Sequence, residues 1–244
     1  MRYFIEFAYD GSSFFGYQIQ PNEISVQEEL EKALSTILRE PIKTTGAGRT
    51  DTGVHAKKMF AHFEIEQNLD ENLVYKLNSF LSESISIKRI FEVADDMHAR
   101  FSATFRTYEY YISSEKDPFT TNSSWQTWRQ KPLNIDAMNE ACKILFEYDD
   151  FTSFAKLHTD NKTNICKIYK AEWEQFGNQL KFTISADRFL RNMVRAIVGT
   201  MVEIGTGKLQ PNDLRKIIED KYRNSAGVSA PAQGLFLVDV GYDF

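Results

Sequence analysis

The chain has 244 residues, 42% apolar and 26% charged, with 29 Lys/Arg against 34 Asp/Glu. That balance excludes a disordered or fibrous chain and leaves room for one large domain or two of ordinary size. Cys142 and Cys166 have no C-x-x-C spacing, so neither a disulfide framework nor a zinc ribbon is indicated. No apolar run is long enough to span a membrane, and Arg2 and Glu6 place charge too early for a secretory signal, which makes the cytoplasm the expected compartment. A net charge of −5 by itself argues against a nucleic-acid partner, yet residues 181–223 hold nine Lys/Arg against five Asp/Glu. The 19 Phe and 11 Tyr suit strands and core, and can also supply stacking surfaces for bases.

In chain order, Tyr3, Ile5, Phe7 and Tyr9 alternate as a strand that ends at the turn Asp10-Gly11. Ser25 with Glu28 three residues on is a capping box before Val26, Leu30, Ala33, Leu34 and Leu38, spaced for an amphipathic helix. A short strand is expected at Ile42 to Thr45 and a longer one at Lys57 to Glu66. A helix opens at Leu69-Asp70 and runs through Val74, Leu77 and Leu81, followed by a strand over Ile85 to Val93.

The same order returns in the second half. Ala103 to Ser113 reads as a strand, and Asn134 caps a helix through Met138, Ala141, Leu145 and Phe146. Ile165 to Phe176 and Leu180 to Ala186 form a hairpin about Gly177-Asn178. A long helix follows over Phe189 to Ile204, then a shorter one after Pro211 and a last strand at Leu235 to Val240. Two β-α-β-β-α-β units predict an α+β fold of two packed ferredoxin-like halves, residues 1–102 and 103–244, with antiparallel or mixed sheets and a catalytic cleft between them.

The chemistry concentrates at Gly46-Ala47-Gly48-Arg49-Thr50-Asp51-Thr52-Gly53-Val54-His55-Ala56. Three glycines let backbone amides approach a ligand, and extended backbone projects Arg49 and Asp51 to one side. His55 and His62 fit no metal-ligand spacing with Asp51, so no metal site is assigned. Tyr108 and Tyr110 share a strand face. On the long helix, Arg188, Arg191 and Arg195 fall within about 60° of arc at 100° per residue, beside Asn192 and Gly199, an expected cationic stripe lining a cleft.

These residues also carry a resemblance. The G-R-T-D-x-G-V-H-A stretch resembles the catalytic motif of the TruA family of tRNA pseudouridine synthases. Three further segments are similar to that family's motifs: Ala99 to Tyr110, Phe189 to Gly199, and Ala230 to Leu237. Tyr9-Asp10-Gly11-Ser12-x-Phe14-x-Gly16-x-Gln18 fits too, so the likeness spans residues 3 to 242. Tyr17 stands where the family usually has Trp, and Cys166-Lys167 lies where an Arg is common.

The resemblance implies a cofactor-independent isomerisation of uridine to pseudouridine in the anticodon stem-loop of tRNA, around positions 38 to 40. Asp51 is the implied catalytic carboxylate, Arg195 its partner, and Tyr108 the ring that stacks on the target base, with Tyr110 as packing. Arg49 fills the gap left by the extruded base, Leu235 packs beside Tyr108, and the enzyme is a homodimer sharing one tRNA. The residues themselves add Arg188 and Arg191 as cations available to RNA. Two competing readings have specific requirements. An RNA-recognition module needs aromatic RNP signatures, whose glycine-rich pattern Lys57 to Glu66 lacks. An aspartate-nucleophile hydrolase needs a second acid or a metal beside Asp51, and no acid accompanies it.

Overall fold

A computed structural model describes residues 1–156 and 163–244. The chain divides into two compact units, Met1–Thr104 with Phe236–Phe244, and Phe105–Leu235. The class is α+β, with nine strands and five α-helices among the described residues.

In the first unit β1 (Arg2–Tyr9) lies between β3 (His55–Glu64) and β4 (Ile85–Val93), antiparallel to both. The two-residue β2 (Thr45–Gly46) pairs antiparallel with β3. β3 also runs parallel to the last strand, β9 (Leu235–Tyr242), through His55 with Phe236 and Ala56 with Leu237. The order is therefore β4-β1-β3, with β2 and β9 both on β3. The C-terminal strand packs with the first unit, which no sequence pattern signals.

β1 buries both faces. Tyr3, Ile5, Phe7 and Tyr9 are buried as their alternation predicts, and so is Phe4 on the opposite side. The Phe4 ring meets Phe60, Phe91, Tyr242 and Phe244 at centroid distances of 5.2–6.3 Å. Burying one such ring contributes about 1.5–3 kcal/mol. Helix α1 (Val26–Leu38) begins at the expected cap, the Ser25 hydroxyl accepting from the Glu28 amide at 3.2 Å. It buries Val26, Leu30, Ala33 and Leu34. Helix α2 (Leu73–Phe80) starts four residues later than Leu69, since the Asp70 carboxylate accepts from the Asn72 amide and holds a turn there.

In the second unit β5 (Ala103–Ser113) pairs antiparallel with β8 (Gln179–Ala186), which pairs antiparallel with β7 (Ile168–Phe176). The hairpin turn falls at Gly177, whose φ of +58° suits glycine. A two-residue β6 (Trp125–Gln126) adds in parallel to β5. Helix α3 (Ile135–Ile144) is capped as read, the Asn134 side chain accepting from the Ala137 amide at 3.0 Å. Leu145 and Phe146 continue it only as a 3-10 turn. Helix α4 spans Met193–Gly205 and α5 spans Asp213–Glu219.

One buried titratable group couples the first unit to pH. His62 on β3 accepts the Ala99 amide at its Nδ1, 3.1 Å away, and meets the His98 ring at 4.6 Å. Burial first, then the charges of His98 and Arg2, lower its pKa from 6.5 to about 4. Between those values the unfolded chain binds a proton that the native chain refuses, so stability rises with pH across the window. Urea unfolding should show stability falling as pH drops from 6.5 toward 4. His62→Gln, which keeps an acceptor but does not titrate, should flatten that fall above pH 5; an unchanged slope would discard His62 as its cause.

Candidate active site

Asp51 sits on a loop between β2 and β3 that is held from one side by residues 9–17. Tyr9 and Thr50 share a hydroxyl–hydroxyl hydrogen bond of 2.8 Å. The Thr50 carbonyl accepts from the Tyr17 amide at 3.3 Å, and the Phe14 carbonyl accepts from the Gly53 amide at 3.4 Å. Two glycines make the approach possible. A Cβ on Gly11 would lie 2.0 Å from the Val54 carbonyl oxygen, and one on Gly16 would lie 2.5 Å from that of Thr50. Gly16 also has φ of +90°, a conformation L side chains resist.

The loop closes on itself through the Val54 amide, which donates to the Asp51 carbonyl at 3.1 Å, across Gly53 at φ +78°. Asp51 is half-buried and Arg49 is exposed. His55, fully buried, accepts the Gly11 amide at its Nδ1, 3.1 Å away, and stacks on Phe236 at 4.4 Å. At the loop entry the Tyr17 ring covers Gly46, where a Cβ would fall 2.3 Å from a ring carbon. The tyrosine at position 17 is therefore a packing residue, and burial raises its phenol pKa well above the ordinary value.

In the second unit Arg195 lies on α4, half-buried, and forms a reciprocal pair with Ala230. Its Nε donates to the Ala230 carbonyl at 2.7 Å, while its own carbonyl accepts the Ala230 amide at 2.9 Å. The helix and the 226–231 segment touch along their length. Thr200 Oγ1 accepts the Gly227 amide, and Asn192 Nδ2 donates to Ser229 Oγ. A Cβ on Gly199 would lie 1.8 Å from the Val228 carbonyl oxygen, so it is this peptide that Gly199 admits. The segment runs on to Gly234, where a Cβ would lie 2.7 Å from the Tyr110 ring, and then to buried Leu235.

Tyr108 is half-buried on β5, and its ring meets that of Phe189 edge to face at 5.2 Å and 89°. Tyr110, two residues on, is fully buried and donates its hydroxyl to the Pro231 carbonyl at 2.8 Å. Phe189, at the start of the expected long helix and of a family-like segment, is a neighbour of Tyr108. Its signal was an aromatic residue next to the arginines.

The expected cationic stripe is corrected. Helix α4 begins at Met193, and Asn192 precedes it in the left-handed region at φ +67°. Arg188 and Arg191 therefore precede the helix and share no helical face with Arg195. Arg188 donates from its side chain to the Thr163 carbonyl at 3.3 Å, and Arg191 is exposed. The positive balance of residues 181–223 is also less available than a count suggests. Lys181, Lys208, Arg215, Lys216 and Lys221 are each ion-paired with an acid.

Among the described residues no group of three His, Cys, Asp or Glu could hold a metal ion. Burial pushes the Cys142 and Cys166 thiols up to about 12, which removes both as thiolate nucleophiles near neutral pH. Among the described residues no helix is long and apolar enough to cross a membrane.

Residues 6–102 and 141–243 match the family model described as tRNA pseudouridine synthase, which places the chain among enzymes that modify RNA. It is similar to a tRNA pseudouridine synthase A of Bacteroides fragilis, 56% identical over 244 residues that cover 99% of this chain and 96% of that protein. The corresponding protein of Parabacteroides distasonis is 52% identical, covering 99% and 96%. That of Bacillus subtilis is 39% identical over the full length of both chains. The chain belongs to the tRNA pseudouridine synthase family and is an isomerase acting on tRNA.

The glycine contacts make a testable pair. Gly16→Ala forces a Cβ into the Thr50 peptide at positive φ, and should cost about 2 kcal/mol or more in urea unfolding. A Cβ on Gly48 would meet nothing within 4 Å, and its φ is an ordinary one, so Gly48→Ala should unfold like the wild type. Equal stabilities for the two variants would mean that the 9–17 segment does not hold the Asp51 loop.

Proposed function

We propose that the chain forms pseudouridine at positions 38 to 40 of the tRNA anticodon arm, with Asp51 as the catalytic carboxylate. In this reading each unit is a ferredoxin-like half. The β4-β1-β3-β2 order of the first unit supports the fold assignment. The observation that carries the chemistry is a carboxylate on a loop fixed by backbone contacts, in the segment where the family resemblance is tightest.

The reaction breaks the N1–C1′ bond of uridine, turns the uracil, joins C5 to C1′, removes the C5 proton and leaves N1 protonated in its place. Atoms balance without oxidant or cofactor. An ionised carboxylate serves as nucleophile toward C1′ or as base toward the ribose. Arg195 is the proposed counter-charge that orients it. Tyr108 stacks on the extruded uracil, and its hydroxyl assists loss of the C5 proton. Leu235 packs beside that ring, Arg49 fills the space the base leaves, and Arg188 and Arg191 neutralise phosphates. The working form is a homodimer in the cytoplasm.

Incubation with tRNA tritiated at uracil C5 tests the assignment. Asp51→Asn keeps shape and hydrogen bonding but loses the charge, so tRNA should bind while tritium release falls to background. Release at the wild-type rate would remove Asp51 from the reaction.

Arg195 and Tyr108 should fail in different ways. Arg195→Lys keeps the charge but loses the Nε donor to Ala230 and the planar fork, so turnover should fall about tenfold or more. Its unreacted tRNA should remain uridine. Tyr108→Phe keeps the ring and base entry, and should accumulate a C5-linked nucleotide that still holds its C5 proton. The same bound species in both variants would abolish this division of roles.

A further inference from the structure

Between β5 and α3 the chain makes a long excursion, residues 114–134, that falls in the gap between the two spans matched by the family model. Loops of this length are either loosely held or built for a purpose. This one is built. The Asp117 amide donates to the Gln126 side chain at 3.0 Å, and Gln126 Nε2 donates to the hydroxyls of Thr120 and Ser124, both at 3.0 Å. Ser124, 1% exposed, donates to the Thr120 carbonyl at 2.9 Å. The Thr127 amide and hydroxyl both donate to the Ser113 carbonyl, tying the end of the excursion to β5.

This frame holds its polar groups inside and turns aromatic rings outward. Phe119 is 94% exposed and Trp128 is 41% exposed. The Arg129 guanidinium lies 4.5 Å from the centroid of the Trp128 ring, and the Lys116 ammonium lies 5.8 Å from it. Lys131 is exposed a few residues on. Of the two acids in the stretch, Asp117 is half-buried and accepts from the Phe119 amide and the Thr120 hydroxyl, leaving Glu115 as the exposed one.

We propose that this excursion is a second tRNA-binding surface, in which Lys116 and Arg129 meet phosphates and Trp128, with Phe119, lies against ribose or base faces. A protein of net charge −5 that acts on a polyanion must concentrate its cations locally. Elsewhere many are ion-paired with acids, whereas here two lie against an exposed indole. Cations beside exposed aromatic rings supply the two elements of single-stranded nucleic-acid surfaces, charge for the backbone and ring faces for bases. Protein interfaces also favour Trp, Phe and Arg, but their cores are depleted in lysine, which stands here against the indole at Lys116. The proposal rests on tRNA as substrate and is independent of the role given to Asp51.

The test measures tRNA affinity over a salt series, single-turnover rate at saturating tRNA, and sedimentation. Lys116→Ala/Arg129→Ala should weaken binding about tenfold near 0.1 M salt and make the log–log salt slope shallower by roughly 1 to 2. Trp128→Ala should weaken binding roughly fivefold or more, while Trp128→Phe, which keeps a stacking ring, stays near wild type. The saturated rate should not change in any of them. Unchanged affinity and slope would overturn the proposal. So would altered sedimentation with the slope intact, which would make the excursion a contact between copies. Tritium release by Asp51→Asn at the wild-type rate, with the slope effect preserved, would strike the Asp51 reading and leave this surface standing.

Discussion

The Asp51 loop depends on one constraint: the backbone of residues 11–17 approaches the Thr50 and Val54 carbonyls closer than any Cβ allows. Hydrogen bonds between Thr50 and both Tyr9 and Tyr17 then hold the peptide next to Asp51 from a strand end and a buried turn. The catalytic role proposed for Asp51 requires its position to be fixed before substrate arrives, since reacting groups displaced by about 1 Å lose large factors in rate. Two segments separated by some thirty residues are thus one mechanical piece. His55 completes it, because its ring accepts the Gly11 amide and is covered by Phe236 on β9.

The second unit uses the same device. Gly199 on α4 and Gly227 beside it let the helix and the 226–231 segment touch backbone to backbone. Arg195 is locked there twice, by its Nε and by its own carbonyl, both to Ala230. The guanidinium therefore has a fixed root, which a lysine at this position cannot reproduce. The path leads on through Pro231, which accepts from Tyr110, to Leu235 at the start of β9. Tyr108 meets the Phe189 ring at a right angle.

Much of this was legible because local chemistry and fold agree. Ser25 and Asn134 cap the helices they were expected to cap, and the bounds of Ile85–Val93 and Ala103–Ser113 coincide with the strands found. The start of the long helix was not legible. Phe189, Leu190 and Met193 continue an apolar spacing that hides the break, and asparagine is the residue that tolerates the left-handed turn at 192. With that turn the three-arginine stripe dissolves, although each arginine remains where its own segment puts it. The pairing of β9 with β3 was equally hidden, since nothing in Leu235–Tyr242 names its neighbour. Glycines were visible as permissive positions, but which carbonyl each one admits is a tertiary fact. Charge misled in a related way. The segment 181–223 is basic by count, yet five of its nine cations face acids.

Membership of the tRNA pseudouridine synthase family fixes the reaction, and the address on the tRNA is the claim most open to a direct test. Unmodified tRNA transcripts treated with the purified protein can be mapped for pseudouridine at single-nucleotide resolution. The predicted result is new pseudouridine confined to positions 38 to 40 of the anticodon arm. Pseudouridine elsewhere in the tRNA, with those positions left as uridine, would contradict it.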